Sequence, residues 1–227
     1  MEDDEYDDTE LEQQYPPLLN LGSADVLEAV MRAKDGAPNQ FQSFWEMDEE
    51  GVDEATNDEI QNNPRVRILW AAENNEREIV ETMLAEDPDL VNARDSDDYT
   101  PLHRASYNGH DAVVRLLLAR KADVEARTID GWQPLHSASR WNQAEVVATL
   151  LQHGAPINAQ TNGGQTALHL ASSERDSRAT LEVLLTNCNI DVSIRNRVGE
   201  TAHDICRRTS EHCSLFQITD DHINSLQ

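Results

Sequence analysis

Three histidines stand at a fixed interval in this 227-residue chain: Thr100-Pro101-Leu102-His103 returns as Gln133-Pro134-Leu135-His136 and as Thr166-Ala167-Leu168-His169, in steps of 33 residues. Histidine is the side chain best suited to proton transfer and metal ligation near neutral pH. A catalytic constellation is assembled once, whereas a residue that recurs at the chain's own period serves a repeated corner of the backbone. His203, Cys206, His212 and Cys213 also have metal-ligating side chains, yet C-x6-C with a histidine before each cysteine fits none of the usual zinc spacings. A terminal cap packed with apolar cysteines is the expectation there. The acidic runs from Glu2 to Glu12 and from Glu46 to Glu59 lack the Asp-x-Asp-x-Asp-Gly loop that pre-orients calcium ligands, so they attract counterions only diffusely. No phosphate-binding loop, dinucleotide glycine motif, nucleophile elbow or kinase signature is readable. The expectation is a non-enzyme with no cofactor and no metal.

The elements that would position those histidines follow from the same period. Gly131, Gly164 and Gly199 each precede an anchor by two residues, where a tight turn needs a left-handed backbone, and Asp98 takes that place before Thr100. Each anchor opens a short helix; Gly109-His110 closes the first of them. Val113, Val114, Leu116, Leu117 and Leu118 then form the apolar run of a second helix. One such pair cannot bury its own apolar face, but stacked pairs can line a continuous core with Leu102, Leu135, Leu168, Ala105, Ala138 and Ala171. Extending the step finds a first unit at Arg67-Ile68-Leu69-Trp70-Ala71-Ala72 and a last at Thr201-Ala202-His203-Asp204. Both depart from the pattern as caps do. An insertion around Asp176-Ser177-Arg178 and Asn187-Cys188-Asn189 lengthens the fourth unit and should bulge from a loop.

A period of 33 with a T-P-L-H anchor and the exits Ala122-Asp123-Val124-Glu125-Ala126 and Ala155-Pro156-Ile157-Asn158-Ala159 resembles the ankyrin repeat. The resemblance implies an all-α fold: an ankyrin-repeat solenoid of five helix-turn-helix units with short β-hairpin loops, preceded by an acidic, mostly disordered N-terminal region. Units are expected at about 63–93, 94–126, 127–159, 160–194 and 195–218, with a short tail at 219–227. It also implies that the motif histidines steady the hairpin-to-helix corner, and that hairpin tips and first-helix ends form a concave recognition face. On that face the second unit presents Ser96, Asp97, Tyr99, Tyr107 and Asn108, and the third Ile129, Asp130, Trp132, Arg140 and Trp141. Four of the chain's 11 aromatic residues fall there. Large rigid side chains beside arginine are the composition of interface anchors. The expected partner-binding set is therefore Tyr99, Arg104, Tyr107, Asn108, Trp132, Arg140 and Trp141, weighed against Trp132 or Trp141 folding down between repeats. Asn92 in Val91-Asn92-Ala93 and Asn158 in Ile157-Asn158-Ala159 resemble asparagines that a hydroxylase modifies in ankyrin proteins.

The first 62 residues are a different kind of chain. They hold 19 acidic side chains against Arg32 and Lys34, a net of −17 out of the whole chain's −25. Such a composition cannot bury enough apolar surface to offset the cost of ordering. Two segments stand out from it. Ser23 to Lys34 has a capping serine, an early acid, late bases and Val26, Leu27, Val30 and Met31 at helical spacing. It is either a marginal helix in solution or one that folds onto a partner or onto the repeats. Phe41, Phe44 and Trp45 lead into acids from Glu46, a pairing of aromatics with negative charge found in disordered activation-type segments.

Function can be bounded from the rest of the composition. No apolar run approaches a transmembrane span, the start MEDDEYDDTE lacks the regions of a secretory signal, and three cysteines do not make a disulfide framework. A monomer in the nucleus, the cytoplasm or both is expected, binding protein partners and neither membrane nor nucleic acid. A net charge of −25 repels phosphate, and no basic stripe is evident across the repeats. Three readings follow: an adaptor, with a role in nuclear gene regulation implied by the resemblance; a scaffold whose acidic tail masks the surface near Arg104 and Arg140; and a hydroxylase substrate through its asparagines.

Overall fold

The repeat anchors become helix starts in the computed structural model, which describes residues 57–217. In chain order the helices are α1 (Asn57–Asn62), α2 (Pro64–Glu73), α3 (Arg77–Glu86), α4 (Pro101–Tyr107), α5 (Asp111–Ala119), α6 (Pro134–Arg140), α7 (Ala144–Gln152), α8 (Ala167–Ser172), α9 (Arg178–Leu185) and α10 (Ala202–Thr209), with 3-10 turns at Pro88–Asn92 and Glu211–Phe216. The first helices α2, α4, α6, α8 and α10 pack each on the next, and the second helices α3, α5, α7 and α9 do the same behind them. The described residues belong to one unit, Ala55–Gln227.

Between the pairs the chain turns in hairpins whose tips also bond to one another. Within a hairpin, Thr128 N–H donates to the Trp132 carbonyl at 2.9 Å and Thr161 N–H to the Gln165 carbonyl at 2.9 Å. From tip to tip, Ile129 N–H donates to Asp97 O, Asn162 N–H to Asp130 O and Arg197 N–H to Gly163 O, at 3.1, 2.9 and 3.1 Å. Among the described residues these loops make no strand, only one isolated antiparallel bridge between Arg195 and Thr201. Gly131, at φ 76°, shows why the turn position is glycine. A Cβ there would lie 2.6 Å from Asn162 Oδ1 and 3.0 Å from its backbone nitrogen, the donor of the tip-to-tip bond.

The core is the stripe expected from the period. Leu102, Leu135 and Leu168 are buried with Ala105, Ala138 and Ala171, and the second helices add Val113, Val114, Leu117, Val146, Val147, Leu150, Leu181 and Leu184. Truncating any of these leucines to alanine opens a cavity, at a cost of about 2–5 kcal/mol. One position later in each first helix, Ser106, Ser139 and Ser172 are fully buried, and their hydroxyls have no hydrogen-bond partner. An unpartnered buried hydroxyl carries its desolvation cost without recompense. Alanine at all three positions is therefore expected to raise stability by about 1 kcal/mol each. Thermal unfolding checks this; a lower melting temperature would mean the hydroxyls are bonded after all.

Two boundaries differ from the sequence reading. The acidic region was expected to remain without structure to residue 62, yet Asn57–Asn62 is helical. The first unit has no hairpin: Asn63, accepting from Arg65 N–H at 3.0 Å, caps α2 with Pro64 behind it, so Arg67 lies inside the helix and not at its start. A terminal unit has no preceding hairpin to meet, and continuing the helix covers Ile68, Leu69, Ala71 and Ala72 instead. In the fourth unit the inserted residues do lengthen a loop. Asn75, Gly109 and Asn142 adopt a left-handed backbone between the paired helices, at φ 59°, 76° and 56°, whereas α8 runs into the segment Ser173 to Ser177 without such a residue.

Candidate functional site

Each motif histidine joins two units, and the hydrogen bonds define its tautomer. Thr100 N–H donates to His103 Nδ1 at 3.2 Å, Gln133 N–H to His136 Nδ1 at 3.0 Å, and Thr166 N–H to His169 Nδ1 at 3.2 Å. A nitrogen that accepts from an amide carries no proton, so the proton sits on Nε2 and is donated to a backbone carbonyl at or beyond the end of the histidine's own unit. Those acceptors are Trp132 O at 3.1 Å, Ala159 O at 3.0 Å and Glu200 O at 3.1 Å. Burial pushes the His103 and His136 imidazoles down to about 4 against the pull of those carbonyls, and His169 also lies below its ordinary value for the same first reason. Neutral, buried and committed at both nitrogens, they are structural side chains. In the last unit Asp204 takes the histidine's place: Thr201 N–H donates to Asp204 Oδ2 at 3.0 Å, closing the same cap. Among the described residues no further hairpin follows for a histidine to reach.

The aromatic and arginine side chains of the second and third units come together at the ends of the first helices. Tyr107 and Trp141 pack ring to ring across the two units, with centroids 4.7 Å apart and planes tilted by 54°. The Arg140 guanidinium lies 5.1 Å from the Trp141 ring centre and forms an ion pair with Glu174 of the fourth unit. Arg104 repeats the arrangement one unit earlier, 5.1 Å from the Tyr99 ring centre and 2.7 Å from Asp95 Oδ2, with Glu73 of the first unit at 4.0 Å. Both distances are in the range of cation–π attraction. Asn108 Nδ2 donates to Glu73 O at 3.3 Å. Trp132 is half-buried, its ring centre 6.4 Å from that of His136. Beside it, Ile129 at the hairpin tip is 60% exposed. The seven side chains thus form two linked groups, Tyr99–Arg104–Asn108 and Tyr107–Trp141–Arg140, with Trp132 at the hairpin side.

The remaining sequence-named residues lie elsewhere. Asn92 is exposed and its Oδ1 accepts from Asp123 N–H at 2.9 Å. Asn158 is half-buried and held at both ends, by Asp191 N–H at 2.9 Å and by donation to Asn189 O at 2.7 Å. Phe41, Phe44, Trp45 and the expected helix at 23–34 fall outside the described residues. His203 stacks on Phe216 with ring centres 4.9 Å apart, and Cys206 is buried.

These features fit one architecture, and comparison with known proteins agrees. The family model "Ankyrin repeats (3 copies)" matches residues 33–128 and 125–196. The chain belongs to the ankyrin-repeat family. It is 54% identical over 193 residues to ankyrin repeat domain-containing protein 49 of Bos taurus, with 81% of each chain covered. To the proteins of that name in Homo sapiens and Mus musculus it is 52% and 56% identical over 198 residues, with 83% of each chain covered. Ankyrin repeats are protein-interaction modules in general, and the family is in general non-enzymatic.

One row of the ankyrin stack escaped the sequence reading. Arg94 and Arg127 stand one period apart and are exposed, and each donates to a carbonyl of the next hairpin, Arg127 O at 2.9 Å and Gln160 O at 2.8 Å. Gln160 continues the row to Arg195 O at 3.3 Å, and Arg195 donates to Gly199 O at 2.7 Å. These side chains follow the repeats and stitch hairpin to hairpin. The 33-residue interval between Arg94 and Arg127 was the available signal.

Proposed function

We propose that this ankyrin domain is a non-enzymatic adaptor that holds a protein partner on the face made by its hairpin tips and first-helix ends. The observation that carries the reading is the Tyr107–Trp141–Arg140 cluster. In a chain of net charge −25, this is a half-buried aromatic pair whose neighbouring cation is already matched by Glu174. A partner meets a rigid, nearly neutral surface there, and rigid aromatic anchors lose little entropy on binding. The partner is a protein, with no direct role for nucleic acid or membrane. Among the described residues no helix is long and apolar enough to cross a bilayer. The acting species is a monomer in the nucleus, the cytoplasm or both, and the nuclear gene-regulatory role is the finer part of the proposal. The acidic aromatic segment around Phe41, Phe44 and Trp45 supports it, as a second contact for a regulatory co-factor.

Recovery of cellular proteins by the intact chain, by residues 63–227 and by a folded Trp132→Ala/Trp141→Ala variant tests this. Partners lost with the double variant support the adaptor. Retention of every partner by the double variant, with loss on truncation, would move function into the acidic region and overturn the reading. Tighter binding by residues 63–227 would favour the masking alternative. Its named anchors, Arg104 and Arg140, are paired with Asp95 and Glu174 within the repeats. The hydroxylase-substrate reading is checked by intact mass, as an added oxygen at Asn92 or Asn158.

A further inference from the structure

Two of the three cysteines meet at the end of the stack, away from the surface described above. Cys206 lies in α10 and is fully buried. Cys213 follows in the 3-10 turn Glu211–Phe216, which packs on α10, and is half-buried. Cys213 packs against the buried cluster that contains Cys206, and its Sγ donates to the Ser210 carbonyl at 3.2 Å. Cys213 forms part of the wall of a cleft of about 580 Å³, together with His203, Arg207 and Phe216. One sulfur therefore lines a cleft together with a guanidinium and an imidazole, and the second lies buried in the helix on which that turn packs.

We propose that Cys206 and Cys213 are a modification site, forming a reversible intramolecular disulfide with a peroxide as oxidant. Cys213 attacks first: its sulfur takes one oxygen of hydrogen peroxide as the O–O bond breaks, one water leaves, and a sulfenic acid remains. The Cys206 sulfur then displaces hydroxide from the Cys213 sulfur, and the Cys206 proton leaves with that hydroxide as a second water. Two thiols are oxidised, one peroxide is reduced to two waters, and a small thiol reductant reverses the change. The roles follow from the surroundings. Burial, and after it the neighbouring Cys213 thiol, push the Cys206 thiol up to about 12, so it stays protonated and waits, while the accessible sulfur reacts. Exposed Cys188 has no neighbouring cysteine with which to close a ring.

The link would matter because α10 is held to the fourth unit by few bonds. Thr209 Oγ1 donates to Ser172 O at 2.6 Å, and Arg208 pairs with Glu200 within the last unit. Joining α10 covalently to the turn packed on it stiffens the cap that protects the exposed end of the stack.

The test treats the full chain carrying Cys188→Ser with one equivalent of hydrogen peroxide under native conditions, followed by non-reducing peptide mapping. The expected product is monomeric, lighter by two hydrogens, with the peptides of Cys206 and Cys213 joined, and it is restored by dithiothreitol. It is also expected to melt higher than the reduced chain, a rise absent when Cys206→Ser is added. The link should form faster in the folded chain than in urea, where the two residues meet only by chance. Over-oxidation of Cys213 without a link, an intermolecular dimer, two free thiols, or equal rates in the folded and urea-unfolded chains would each overturn the proposal.

Discussion

Acidification from pH 7.5 to pH 5 is expected to strip several kcal/mol from this domain through its buried histidines. His103 and His136 are held at about 4 in the folded chain, whereas an exposed imidazole titrates near 6.5. Below the higher value the unfolded chain takes up protons that the folded chain refuses. Stability from these two groups is therefore complete above about pH 6.5, falls as the pH drops, and levels off near the folded value. At pH 5 the loss is about 2 kcal/mol for each, or roughly 10 °C in melting temperature for a domain of this size. His169 adds a loss of the same sign. Glu200, Asp204 and Asp191 lie below their ordinary values, Glu200 through Arg208, Asp204 through Thr201 and Asp191 through Ser193. Their contributions are present above the unfolded carboxylate range and fade only as pH falls through still lower values, so they leave the window between 7.5 and 5 to the histidines. Urea unfolding across that window should show the slope, and His136→Gln should flatten it. A His136→Gln chain with the wild-type pH dependence would remove the buried imidazoles as its cause.

That prediction rests on residues whose place was legible in the sequence. The 33-residue period located His103, His136 and His169 at helix starts and gave the leucine and alanine stripe of the core, because a repeat must bury the same face in every unit. What it did not show lies where the repetition breaks. The first unit has no hairpin, so aligning Arg67 with Thr100 put the helix start four residues late; the cap is Asn63 followed by Pro64. In the last unit Asp204 stands where the motif histidine would, and it keeps the cap without that histidine's second bond. The aromatic residues of the candidate face were legible as positions and not as contacts. Nothing in the spacing says that Tyr107 finds Trp141 across the unit boundary, or that Glu174 is in reach of Arg140, since rotamers decide both.

Those contacts set the largest expected functional effect. Trp141→Ala should weaken partner binding by about 30-fold or more, the loss of an aromatic interface anchor. It should lower stability by about 1 kcal/mol for the aromatic pair plus the loss of its half-buried area, less than the roughly 3–5 kcal/mol of a core tryptophan. The separation is expected because the Trp141 ring stands outside the buried core, packing on Tyr107 and Arg140, while Leu135 and Ala138 of the same unit belong to that core. Arg140→Ala provides the second arm. It leaves Glu174 without its cation and adds negative charge to the face. A partner that docks on the rings should then bind somewhat less tightly, whereas one that docks on a basic site should be lost altogether. Titration calorimetry on both variants, each with its melting temperature measured, distinguishes the outcomes. A Trp141→Ala chain that melts much lower yet binds unchanged would make this tryptophan a wedge between repeats, and recognition would then have to lie with Trp132 and Ile129 at the hairpin tips.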